Sequence, residues 1–100
     1  MLRVAICDDE PNLLAAMKAC IKNALEIERF FCEIQCFSNG KTMLEAYRAF
    51  PFNILFLDIC MPDIDGFELA RIIRKMNYET FLIFVTAQDT LEPVDTNVEM

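Results

Sequence analysis

Four short apolar runs alternate with segments of helical periodicity, and this alternation limits the possible folds more than any other feature of the sequence. The runs cover residues 2–7, 31–37, 53–57 and 81–85. Between the first two, Leu14, Met17, Ile21 and Ala24 or Leu25 recur at helical spacing behind Pro11, which suits a first helical turn because its missing N–H has no partner to lose there. Ser38 is the expected N-cap of a second helix reaching about Phe50, and Pro51 stops it. Leu69, Ile72, Ile73 and Met76 mark a third helix after a turn at Asp65-Gly66. Residues 88–100 are read as loop and helix, with Pro93 tolerable only in a first turn.

The order βαβαβαβα implies an α/β fold, a parallel sheet with helices on both faces. The runs at 53–57 and 81–85 are almost wholly apolar, as in strands covered on both faces. The run at 31–37 alternates instead, with Cys32, Ile34 and Cys36 on one side and Glu33 and Gln35 on the other, which is the pattern of an edge strand. An edge position for the second strand gives the order 2-1-3-4, a flavodoxin-like three-layer αβα winding.

The 100 residues suffice for one domain, and a hydrophobic fraction of 55% supplies its core. No apolar run approaches the roughly 18 residues of a membrane span, and the start has no signal-peptidase pattern, so a cytoplasmic location is expected. A net charge of −7 disfavours direct contact with a phosphate backbone. The sequence has no histidine, which removes His-based zinc sites and His-dependent triads. Its five cysteines, odd in number and without paired spacing, read as small buried apolar residues rather than as a disulfide framework.

In open sheets of this type, ligands sit beyond the carboxyl ends of the strands. The first strand runs into Asp8-Asp9-Glu10, the third into Asp58 and the fourth into Thr86-Ala87. Taken singly, these residues are ordinary. Asp9 or Glu10 could simply cap the first helix, and Asp65-Gly66 could be only a turn. Together they predict a mouth where Asp8, Asp9 and Asp58 converge. Gathered carboxylates require protons or a cation, and an all-oxygen set favours Mg2+. A carboxylate beside such an ion can act as a nucleophile toward phosphorus, and Thr86 offers a hydroxyl to the transferred group.

Asp8-Asp9-Glu10, the stretch Asp58-Ile59-Cys60-Met61-Pro62-Asp63-Ile64-Asp65-Gly66, and Thr86-Ala87 resemble the receiver domains of bacterial two-component response regulators over nearly the whole chain. The resemblance implies that Asp58 is the phosphoacceptor and that Asp8, Asp9, Asp58 and the backbone carbonyl of Cys60 hold Mg2+. Thr86 becomes the switch hydroxyl. The implied partner is a sensor histidine kinase, with DNA reached only through an output domain outside these residues. No membrane partner is implied, and self-association into a dimer is left open. The phrases around Asp8, Asp58 and Thr86 look most like receivers attached to LytTR-type DNA-binding domains.

Receivers continue into a fifth strand, ending in a lysine before a proline, and then a fifth helix. Lys18, Lys22, Lys41 and Lys75 do not fall at that place. By resemblance, residues 1–100 are therefore one receiver domain truncated before its fifth strand, a fragment of a longer regulator. In a second version another chain covers the open edge of the fourth strand. The expected role is a signal receiver rather than an enzyme. The alternatives are a receiver-like module that acts by protein contact without phosphorylation, and a phosphohydrolase resembling the haloacid dehalogenases. The last would need an aspartate where Cys60 stands.

Overall fold

The structure is a computed structural model that describes residues 1–77 and 79–85. Its elements run β1 (Leu2–Cys7), α1 (Pro11–Ile27), β2 (Cys32–Phe37), α2 (Gly40–Ala49), β3 (Ile54–Asp58), α3 (Gly66–Met76) and β4 (Phe81–Val85). The four strands form one parallel sheet of order β2-β1-β3-β4, as the sequence predicts. The expectations that fall on Thr86, Ala87 and residues 88–100 lie outside the described residues.

One face of the sheet carries most of the core. Ala5, Cys7, Leu55 and Leu57 point to the side where Met43, Leu44 and Tyr47 of α2 and Leu69, Ala70 and Ile73 of α3 pack, and all are buried. Leu82 and Phe84 of β4 join this cluster. On the opposite face Val4 and Ile6 are fully buried. The predicted face of α1 is present, with Leu14, Met17, Ile21 and Leu25 half-buried, but Ala24 is exposed and no α1 residue is fully buried. Phe81 and Ile83 are exposed, so among the described residues β4 is covered on one face and not on both.

Local chemistry sets the helix ends. Glu10 caps α1, its carboxylate accepting from the Asn12 and Leu13 amides, with Pro11 in the first turn. At the other end the Arg29 N–H donates to the Glu26 carbonyl and the Phe30 N–H to the Leu25 carbonyl, a Schellman closure with Arg29 at φ 62° where glycine is usual. The cap of α2 is Asn39 and not Ser38: the Asn39 side chain accepts from the Thr42 amide, three residues on. Asp65 caps α3 through the Glu68 amide, so Asp65-Gly66 is a helix start rather than a free turn. The cysteines also depart from expectation. Cys7 is buried and Cys32 half-buried, whereas Cys20, Cys36 and Cys60 are exposed.

A buried polar network fastens β4 to this framework. The Tyr47 hydroxyl lies 2.6 Å from Thr80 Oγ1, which donates to the Phe52 carbonyl at 3.0 Å. All three residues are at most 2% exposed. Thr80→Val keeps the shape and leaves two buried polar groups unmatched. It should cost about 1–3 kcal/mol, read as a lower urea midpoint at an unchanged slope.

Candidate functional site

The β1–β3 register fixes the site. Cys7 pairs with Leu57, so the next residues, Asp8 and Asp58, stand side by side at the carboxyl ends of adjacent strands. The Asp8 amide donates to the Phe37 carbonyl and the Ile59 amide to the Val85 carbonyl, which carries the sheet hydrogen bonding past the last paired residues of β1 and β3. Asp9 follows where the chain leaves the sheet for α1, and it is exposed. Carboxylate oxygens of Asp8, Asp9 and Asp58 lie within 4.8 Å of one another, so the structure brings the three predicted acids together.

Asp8 is 1% and Asp58 6% exposed, which is deep burial for carboxylates. Asp8 Oδ1 accepts from the Glu10 amide at 2.9 Å, and Asp58 Oδ1 accepts from the Cys60 amide at 3.2 Å. Asp8 Oδ2 is buried without a hydrogen-bond partner. Burial pushes the Asp58 carboxyl above its usual range. The Cys60 amide opposes that shift, and the charges of Asp8 and Asp9 add to it. Burial likewise raises Asp8, opposed by the Glu10 amide and reinforced by Asp9. Cys7, directly beneath, is driven up to about 12, first by burial and then by the charges of Asp63, Asp8 and Asp58. Its thiol stays protonated, 3.5 Å from Met61 Sδ, and offers no soft ligand to the mouth.

These features fit a hard divalent cation. The donors are all oxygen, two of the three acids are held in place by backbone amides, and one buried lone pair is unmatched. Octahedral Mg2+ at about 2.0–2.1 Å from each donor spans oxygens roughly 3–4 Å apart, compatible with this spacing. The Cys60 side chain is exposed and is not a member of the cluster.

The loop between β3 and α3 forms the mouth's outer wall. Its neck is closed by the Gly66 amide donating to the Ile59 carbonyl at 3.0 Å. Its apex is tied to a different helix: Asp63 Oδ1 accepts from the Gly40 amide at 3.2 Å and Oδ2 from the Lys41 amide at 2.9 Å. Desolvation works against the Asp63 charge, but the Lys41 and Gly40 amides outweigh it and hold the carboxyl below its usual range. Sequence reasoning missed this residue. The contact joins positions 22 and 23 residues apart, and no local pattern announces it.

Among the described residues no helix is long and apolar enough to cross a membrane. The chain is similar to the transcriptional regulatory protein TrcR of Mycobacterium tuberculosis, with 32% identity over 90 residues, 90% of this chain and 33% of that protein. It is 34% identical over 89 residues to the sensory transduction protein LytT of Bacillus cereus, 89% of this chain and 35% of that protein. It thus spans about a third of the length of these curated relatives. Among solved structures it resembles the response regulator protein TrrA from Thermotoga maritima in complex with Mg(2+)-BeF. That likeness has a TM-score of 0.69 and 34% identity, covering 89% of this chain and 72% of the other. The family model described as the response regulator receiver domain matches residues 4–100, and with the sheet order and the acidic mouth in agreement, the chain belongs to that family of signalling modules.

Proposed function

We propose that this receiver accepts a phosphoryl group on Asp58 from the phosphohistidine of a sensor kinase, and that the modification switches an output, most plainly transcription. The observation that carries the reading is the position of Asp58. Its carboxylate is deeply buried at the strand end, fixed by the Cys60 amide and flanked by two further acids. A carboxylate oxygen attacks phosphorus, a P–O bond forms as the P–N bond breaks, and the departing imidazole nitrogen keeps the electron pair and takes up a proton. Asp8, Asp9, Asp58 and the Cys60 carbonyl would hold Mg2+. When bound, that ion neutralises the acids and the incoming phosphoryl oxygens.

The protein's own part is to position the nucleophile and to keep competing groups out. The Cys60 amide orients Asp58, and the protonated Cys7 thiol beneath cannot compete as a nucleophile. Thr86 is assigned as the hydroxyl that engages the phosphoryl group and relays the change. TrcR is named as a transcriptional regulatory protein and LytT as a sensory transduction protein, which supports a regulatory output in a cytoplasmic signalling chain. Residues 1–100 are taken as a single receiver unit. The test is incubation of the full chain with acetyl phosphate or phosphoramidate and Mg2+. Intact-mass measurement should show a gain of one phosphoryl group that vanishes in Asp58→Asn and on chelation. No gain in the unaltered chain, or a gain retained in Asp58→Asn, overturns the reading.

A further inference from the structure

We infer that Asp63 is a positioning residue for the metal-binding mouth: it ties the loop carrying Cys60 to the amino end of α2. The inference rests on the reading of the site given above and adds to it a residue that contributes no ligand.

The amino end of a helix leaves its first amides without intrahelical partners. In α2 every one of them is satisfied. The Thr42 amide donates to the Asn39 side chain and the Met43 amide to the Asn39 carbonyl, both local. The first two, of Gly40 and Lys41, donate to the two oxygens of a single distant carboxylate, Asp63. An anion at this position is also favoured by the helix dipole. The same junction is packed tightly. A Cβ on Gly40 would overlap Ile64 Cγ2, so the residue after Asp63 fills the space that the missing side chain leaves.

The tie acts at the apex of the loop, between two ends that are fixed separately. At one end the Cys60 amide is held by Asp58 Oδ1, and at the other Asp65 caps α3 while the Gly66 amide reaches back to Ile59. Between those ends Met61 is buried against Cys7, and Asp63 is the side chain that fastens the apex outward to α2. The Cys60 carbonyl can serve as a metal ligand only if this loop keeps its course. Such supporting contacts set the affinity of a site without touching the ion.

Mg2+ titration calorimetry on the full chain tests the proposal, run at temperatures where every variant is folded and repeated at high salt, where distant charge effects are screened. Asp63→Ala should weaken Mg2+ binding by roughly 3–10-fold, and the loss should persist at high salt. Asp63→Asn keeps one acceptor oxygen and should fall between Asp63→Ala and the unaltered chain. Asn39→Ala removes the other cap of the same helix without touching the loop. It should lower the melting temperature yet leave Mg2+ affinity unchanged. Unchanged affinity in Asp63→Ala, an equal loss in Asn39→Ala, or a loss that disappears at high salt overturns the inference alone. Failure of the unaltered chain to bind Mg2+ overturns the functional reading along with it.

Discussion

Gly66→Ala should destabilise the domain by about 3 kcal/mol, more than its helical position alone would suggest. Gly66 is buried at the start of α3, and a Cβ there would press into the Asp58 carbonyl oxygen, with the Asp58 carbonyl carbon and Ile59 Cα at 3.1 Å. All three are backbone atoms of the strand end that bears the proposed phosphoacceptor, and none can rotate away. Either α3 withdraws from β3, losing the 3.0 Å bond from the Gly66 amide to Ile59, or the Asp58–Ile59 peptide moves and takes the carboxylate with it. The better helix propensity of alanine, worth at most about 1 kcal/mol, does not offset this. Gly40→Ala is the natural comparison. Its Cβ meets the Cγ2 methyl of Ile64, a side-chain atom that a χ1 change or a small shift of the loop can move, so its cost should be lower, nearer about 1–2 kcal/mol. Neither glycine has a positive φ, so the requirement at both positions is for space. Urea unfolding of the two variants should rank Gly66→Ala well below Gly40→Ala; the reverse order would show that the α3–β3 contact yields more easily than its geometry implies.

That steric requirement also shows where sequence reading stops. The alternation of apolar runs and helical stripes reports burial directly, and it yields the element order, the edge position of β2 and the convergence of Asp8 and Asp58 at neighbouring strand ends. Details that depend on what faces a residue are not encoded locally. Ser38 and Asn39 are both good caps, and only the reach to the Thr42 amide selects Asn39. Cys36 looks like the inner member of an alternating strand, yet it is exposed, because β2 lies at the sheet edge. Phe81 and Ile83 look like a strand covered twice, yet among the described residues both remain exposed. Gly66 reads as a turn because Asp-Gly usually is one, whereas here the pair supplies a cap and a close approach to β3. Asp63 stands in the sequence only as one member of the quoted stretch, because its partners belong to another helix.

In the absence of divalent ions, Asp58→Asn should make the domain measurably more stable at neutral pH, although it removes the proposed phosphoacceptor. Burial, with Asp8 and Asp9 adding to it, raises the Asp58 carboxyl in the folded state, while in the unfolded chain it titrates near its ordinary value. The folded state then binds more protons, so stability falls as pH rises from the unfolded value through the folded one. Above the folded value the penalty is complete; well below the ordinary value near about 4, where both states are protonated, it is absent. Asparagine keeps an oxygen for the Cys60 amide and carries no charge, so it removes the penalty without breaking that bond. The advantage of the variant should therefore grow as pH rises from acid and then level off. Mg2+ should act in the opposite sense. By binding the folded unaltered chain it adds about 1.4 kcal/mol at ten times its dissociation constant, and the variant, with one ligand altered, gains less. Melting curves across pH, with chelator and with Mg2+, should show the two proteins drawing together as the ion is added. If Asp58→Asn is the less stable protein in chelator at pH 7, or if its advantage persists unchanged well below pH 4, the cost of burying the Asp58 charge beside Asp8 and Asp9 does not govern the site. The convergence of the three acids would then have to be stabilised by a contact other than a cation.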